Sequence, residues 1–274
     1  PALADIDGLA QLDSISGSLT IQDNEVLTTL DGLVELGDLG GDLSLYDNPD
    51  LSDVSGLSGI SSLSGSLNLV DNDSLTDIGG LSGITSIGGS LLISGGGLTD
   101  TGLTGLTTVS GDVTLRDADG LSDVGLASLS EIGGDLTIER CDGLKAISGL
   151  SGLTTLSGDL SVCSNSALVS LSGFSALATT SGLVEVCSNP ALTGITGLSS
   201  LTAAGEVTVQ GNDALVLLSG LAALSTPGAL TVNDNDALLT VDDLAAVTSL
   251  TDTLAVRYND ALISVEGLHG VSAV

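Results

Sequence analysis

The chain has 274 residues, 35 acidic side chains against four basic ones, a formal net charge of −31 at pH 7, and 42% hydrophobic but only 1% aromatic content. That charge repels nucleic-acid phosphates and anionic lipid headgroups, and no apolar run reaches the 18 residues of a membrane span. With no Trp, no Met and a single Phe, the core cannot be an irregular globular one filled by large rings. It implies layers of Leu, Ile and Val.

In chain order, a partial repeat over 1–16 is followed by repeats over 17–274. They start at Gly17, Gly41, Gly65, Gly89, Gly111, Gly134, Gly158, Gly182, Gly205, Gly228 and Asp252, mostly 24 residues apart and otherwise 22 or 23. Each start opens a period-2 pair that predicts a strand, from Leu19 and Ile21 to Leu254 and Val256. Two further apolar columns run from Leu27 to Leu262 and from Leu33 to Leu268. A lone rung cannot bury these residues, but stacked rungs bury each against its copies, stabilising by about 1.5–3 kcal/mol per side chain. Glycines at Gly32, Gly56, Gly80, Gly149, Gly173 and Gly197 predict corner turns with positive φ. No stretch has helical periodicity over 10 to 12 residues, so the third side is short strand, 3₁₀ turn or extended chain. The expected fold is an all-β repeat protein: one right-handed parallel β-solenoid of leucine-rich type over 1–274, with about eleven rungs of 22–24 residues.

The stretch Leu43-Ser44-Leu45-Tyr46-Asp47-Asn48, recurring over Leu67 to Asn72 and Val232 to Asn235, resembles the L-x-L-x-x-N core of leucine-rich repeats. The whole unit, as from Gly134 to Leu156, is similar to receptor L-domain repeats. The next Leu follows Asn after three residues, as from Asn48 to Leu51. This departs from the leucine-rich pattern and argues against a convex helix. The resemblance implies the fold and, by analogy alone, recognition of a protein or glycan.

Several columns carry polar or reactive groups. Asn24, Asn48, Asn72, Asn165, Asn189, Asn212, Asn235 and Asn259 form a structural column whose side chains can satisfy buried backbone groups. Gly96, Ala118 and Cys141 interrupt it, so the middle of the rod is expected to be its least regular part, either a tolerated defect or a ligand position. Asp47, Asp71, Asp73, Asp234 and Asp236 offer oxygen ligands on turns, where Ca²⁺ is the cofactor to consider. Asp53, Asp77, Asp100 and Asp123 stack as like charges. Cys163 and Cys187 fall on one outward column of successive rungs, which allows a disulfide or a thiol ladder; Cys141 is expected to be buried. Arg116 is expected to pair with Glu139 one rung on.

Catalysis has little to draw on, because His269 is the only histidine and the four basic residues are scattered. The expected function is a non-enzymatic extracellular or cell-surface structural or adhesive solenoid. It assembles end to end with itself through Leu3, Ile6, Val271 and Val274, without nucleic acid or membrane insertion. The alternatives are ice or hydration-water binding by the outward column with Thr20, Thr114 and Thr137, and receptor-like binding of a protein or glycan.

Overall fold

The computed structural model describes residues 2–274. Eleven strands stack in chain order into one parallel sheet, from Leu19–Gln22, Leu43–Tyr46 and Leu67–Val70 through to Thr226–Asn233 and Leu254–Arg257. The register is strict: Leu43 pairs with Leu19 and Leu67, and Leu45 with Ile21 and Leu69. The period-2 alternation therefore sends the same two columns inward on every rung. A second side is built from two-residue strands, five of which, Ser62–Leu63 to Thr155–Leu156, form one parallel sheet. The third side carries short 3₁₀ helices such as Asp31–Leu33, Ser55–Leu57 and Thr196–Leu198. Among the described residues, no helix is long and apolar enough to cross a membrane.

One continuous core of Leu, Ile and Val runs from Ile21 to Leu250, with Phe174 as its single aromatic. Identical layers need no large ring, because each Leu packs on the Leu above and below. The middle rungs lose the 3₁₀ helix, and Gly102 and Gly125 there adopt φ of +62° and +69°.

The expectation for the corner glycines is overturned in its cause. Gly32, Gly56, Gly80, Gly149, Gly173 and Gly197 are not in the positive-φ region. A Cβ on Gly32, Gly56 or Gly80 would instead run into the backbone carbonyl of Ile6, Leu30 or Val54, one rung earlier. Close stacking, not turn geometry, requires glycine at these corners. Positive φ is concentrated in another column: Asp23, Asp47, Asp71, Gly95, Asp117, Arg140, Ser164, Ser188, Gly211, Asp234 and Tyr258, one residue per rung and always just after the main strand.

Candidate functional site

That left-handed residue turns the chain so that the next side chain points into the rod, and the next residue is the asparagine column. Asn48 shows the pattern. Its Nδ2 donates to the carbonyls of Ile21 (3.0 Å) and Tyr46 (2.9 Å), and both its Nδ2 and its backbone N–H donate to Asn72 Oδ1 at 3.1 and 3.2 Å. The ladder runs from Asn24 to Asn72, then from Asn165 through Asn189, Asn212 and Asn235 to Asn259. Asn48, Asn165, Asn189, Asn212 and Asn235 have no exposed surface, so each bond removes a desolvation cost instead of merely replacing water. At the interruption, Cys141 keeps one link by donating its N–H to Asn165 Oδ1 at 3.0 Å. Burial, first of all, pushes the Cys141 thiol up to about 11, with Asp119, Asp117 and Asp142 adding to it against a hydrogen bond from Ala118. It is an inert thiol at neutral pH.

A second ladder runs up the edge of the same sheet. The N–H groups of Asp42, Ser66, Ser90, Asp112, Asp135, Asp159 and Leu183 each donate to the Ser or Asp side chain one rung earlier, at 2.7–3.0 Å. Sequence reasoning missed it, although its signal is present: the residue between the opening Gly and the first inward Leu or Val is Ser or Asp in every repeat from Ser18 to Asp159. The ladder stops at Leu183. Beyond it, the strands lengthen to eight residues at Ala203–Gln210 and Thr226–Asn233.

The sheet's outer face carries two side-chain columns. One holds Thr20, Ser44, Asn68, Leu92, Thr114 and, further along, Glu185 and Ala255. The other is chemically mixed, with Tyr46, Val70, Arg116 and Gln210 among its members. Neither is a regular Thr array. In the second column Cys163 and Cys187 are register partners and are joined by a disulfide, with Cα atoms 4.5 Å apart. Glu185 lies beside them.

Arg116 is the register partner of Glu139 but makes no ion pair with it. It donates from Nε to Ser94 Oγ at 3.3 Å, whereas Arg140 takes Glu139 (2.9 Å) and Asp117 (2.7 Å). Arg140 directly follows Glu139 and stacks over Asp117 in the left-handed column, so it reaches both. The hydrogen bond from Arg140 holds the Asp117 carboxyl below the usual carboxylate range. His269 is exposed, with Nδ1 2.7 Å from the Glu266 carbonyl oxygen.

The acidic turn residues acquire a backbone explanation. Asp47, Asp71 and Asp234 occupy the left-handed column, where Asp and Asn are better tolerated than other side chains. Asp73 lines an open groove with Asp23, Glu25, Asp47, Pro49 and Asp71; Asp236 accepts the N–H of Ala261 through its backbone carbonyl. Among the described residues, the group of three potential ligands that converges is Cys163, Glu185 and Cys187, and not these aspartates. The stacked Asp53, Asp77 and Asp100 each accept the N–H two residues on, at 2.7–2.8 Å, which offsets their mutual repulsion. At the ends of the rod, Leu3 and Val274 are exposed, while Ile6 and Val271 pack partly against the core.

These features define a parallel β-solenoid of leucine-rich type, closed internally by side-chain ladders. No protein-family model matches the chain, and no curated relative does. Among solved structures, an internalin from Listeria monocytogenes aligns over 98% of this chain and 88% of its own, at 14% identity and a TM-score of 0.37.

Proposed function

We propose that the chain is a non-enzymatic scaffold of the cell surface or extracellular space, and that its rods join head to tail. The observation that carries this reading is the apolar end of the last described rung. Leu254, Val256, Val265 and Leu268, with Glu266 and His269 at the rim, line a hollow of about 530 Å³. At the opposite end Leu3 and Leu9 are exposed, and Ile6, Leu12 and Ile15 are only partly covered. The strands Leu19–Gln22 and Leu254–Arg257 are also the two outermost strands of the eleven-stranded sheet, and a strand edge of this kind pairs readily. A contact between unlike ends does not close, so it grows a filament. The disulfide fits an oxidising compartment, and the −31 charge keeps filaments apart until salt screens it.

Negative-stain electron microscopy and sedimentation of the 274-residue chain in 0.5 M NaCl test the reading. Linear oligomers should form, and Val271→Asp combined with Val274→Asp should return monomers with unchanged circular dichroism. Monomers of the unmodified chain at every salt and protein concentration would overturn it.

A further inference from the structure

Four side chains form a square on the outer face of the sheet. Ser161 and Cys163 stand on one strand, Glu185 and Cys187 on the next, paired Ser161 to Glu185 and Cys163 to Cys187. The two sulfurs and a Glu185 carboxylate oxygen all lie within 4.8 Å of one another, and Ser161 Oγ is 3.5 Å from Cys163 Sγ. Packing does not demand these residues: the flanking positions in the same columns are Glu139 and Gln210, Thr137 and Thr208.

The geometry points to a second state of this square, in which the reduced Cys163 and Cys187, together with Glu185, bind one thiophilic divalent cation of the zinc class. Tetrahedral zinc takes sulfur at about 2.3 Å and carboxylate oxygen at about 2.0–2.2 Å, which sets two sulfurs roughly 3.8 Å apart. The parallel strands already hold the two Cα atoms at 4.5 Å, so opening the bond needs side-chain movement only. Two thiolates and one carboxylate select zinc or cadmium over magnesium or calcium, and water or Ser161 Oγ completes the fourth position. The surroundings add negative charge: Glu206, held by Thr208 Oγ1 at 3.3 Å, lies one rung beyond, whereas Glu139, the register neighbour of Cys163, is already paired with Arg140. Without a cation, that field opposes two thiolates. The same two rungs are therefore clipped covalently when oxidised and through a metal when reduced.

A trialkylphosphine prepares the reduced state. Its phosphorus gives two electrons to the disulfide and leaves as phosphine oxide with the oxygen of one water, whose two protons end on the thiols. Metal binding then releases the thiol protons to solvent. The full chain, reduced and freed of phosphine without oxygen, is titrated with Cd²⁺ at pH 7.5.

A sulfur-to-metal absorption band saturating at one cation per chain is expected, and Zn²⁺ should compete it away. Glu185→Gln should weaken the affinity about tenfold or more, Cys187→Ser should abolish the band, and Cys141→Ser should leave it unchanged. Circular dichroism of the reduced chain and of each variant separates lost binding from lost folding. In the unmodified reduced chain the cation should also protect Cys163 and Cys187 from alkylation. No band in a folded reduced chain, a band surviving Cys187→Ser, or equal affinity in Glu185→Gln would each overturn the site.

Discussion

Asn189 Oδ1 accepts two hydrogen bonds from Asn165, the backbone N–H at 3.0 Å and the side-chain Nδ2 at 3.2 Å, so one oxygen closes both donors of the rung before it. Replacing Asn189 by Ala strands the Asn165 backbone N–H in a dry interior, while Asn165 Nδ2 keeps the carbonyls of Ile138 and Cys163, both at 3.1 Å. Stability should fall by about 1–3 kcal/mol, read as a lower midpoint in urea at unchanged slope. Asn259→Ala, at the partly exposed end of the ladder, should cost about 1 kcal/mol or less. Equal losses at the two positions would show that burial does not set the value of a ladder step.

Stacking, not turn geometry, should decide which glycines can be replaced. Gly56→Ala drives a methyl into the Leu30 carbonyl and should destabilise by about 1–3 kcal/mol or more, the cost of an overpacked core. At Gly194 an added Cβ would meet nothing within 4 Å, and φ is not positive, so Ala should be accepted with a gain of about 0.4–1 kcal/mol. Thermal unfolding of the two variants checks the contrast.

Asp123 predicts a component of the acid response. Burial pushes its carboxyl up, but hydrogen bonds from Ser148 Oγ and from the N–H groups of Val124, Ser148 and Gly149 outweigh this and hold it below the usual carboxylate range. A depressed carboxylate stabilises the fold above its unfolded pKa of about 3.9, and that contribution is lost as pH falls through the lower folded value. Asp123→Asn should therefore lower the melting temperature at pH 6. The gap to the unmodified chain should narrow below about pH 4; a constant gap from pH 6 to pH 2 would refute the assignment.

Self-repulsion at −31 should make the fold more stable in salt. Raising NaCl from 0.1 to 1 M shortens the screening length from about 10 to about 3 Å, so the melting temperature should rise. Ca²⁺ and Mg²⁺ at equal concentration should raise it equally if the turn aspartates act only as surface charge; Asp47, Asp71 and Asp234 already have a backbone role in the left-handed column. An excess for Ca²⁺ that a chelator removes would reveal a specific site.

Peptide mapping without reduction should recover Cys163 linked to Cys187 and a single thiol at Cys141, which alkylates only after unfolding because it is fully buried. Rapid labelling of Cys141 in the folded chain would contradict its place in the ladder.

The repeating parts of this fold are legible because one rung is written eleven times. Leu19, Leu43 and Leu67 recur with their neighbours, and a column that recurs must stack. Conformation is harder to read: Asp47, Ser188 and Tyr258 share a left-handed backbone but no common chemistry. The glycine at 56 looks like a turn residue and is in fact a clearance for a carbonyl. Arg140 is hard to recognise as the partner of Glu139 because the pairing runs between sequence neighbours and across the left-handed column, not along the strand register. The convergence of Glu185 on two cysteines needs the lateral offset between outer-face columns, which spacing alone does not supply.

Hydrogen bonds between rungs join residues 22 to 27 positions apart and lie along the axis of the rod, which gives the molecule a definite mechanical character. A pull on its two ends loads these bonds one rung at a time, by unzipping, so turns should peel away singly. Each freed turn yields up to about 80 Å of thread. The bond between Cys163 and Cys187, spanning 24 residues, withholds one such turn: under tension the oxidised rod is a spring with one coil welded shut, about 80 Å shorter at full extension than its reduced form.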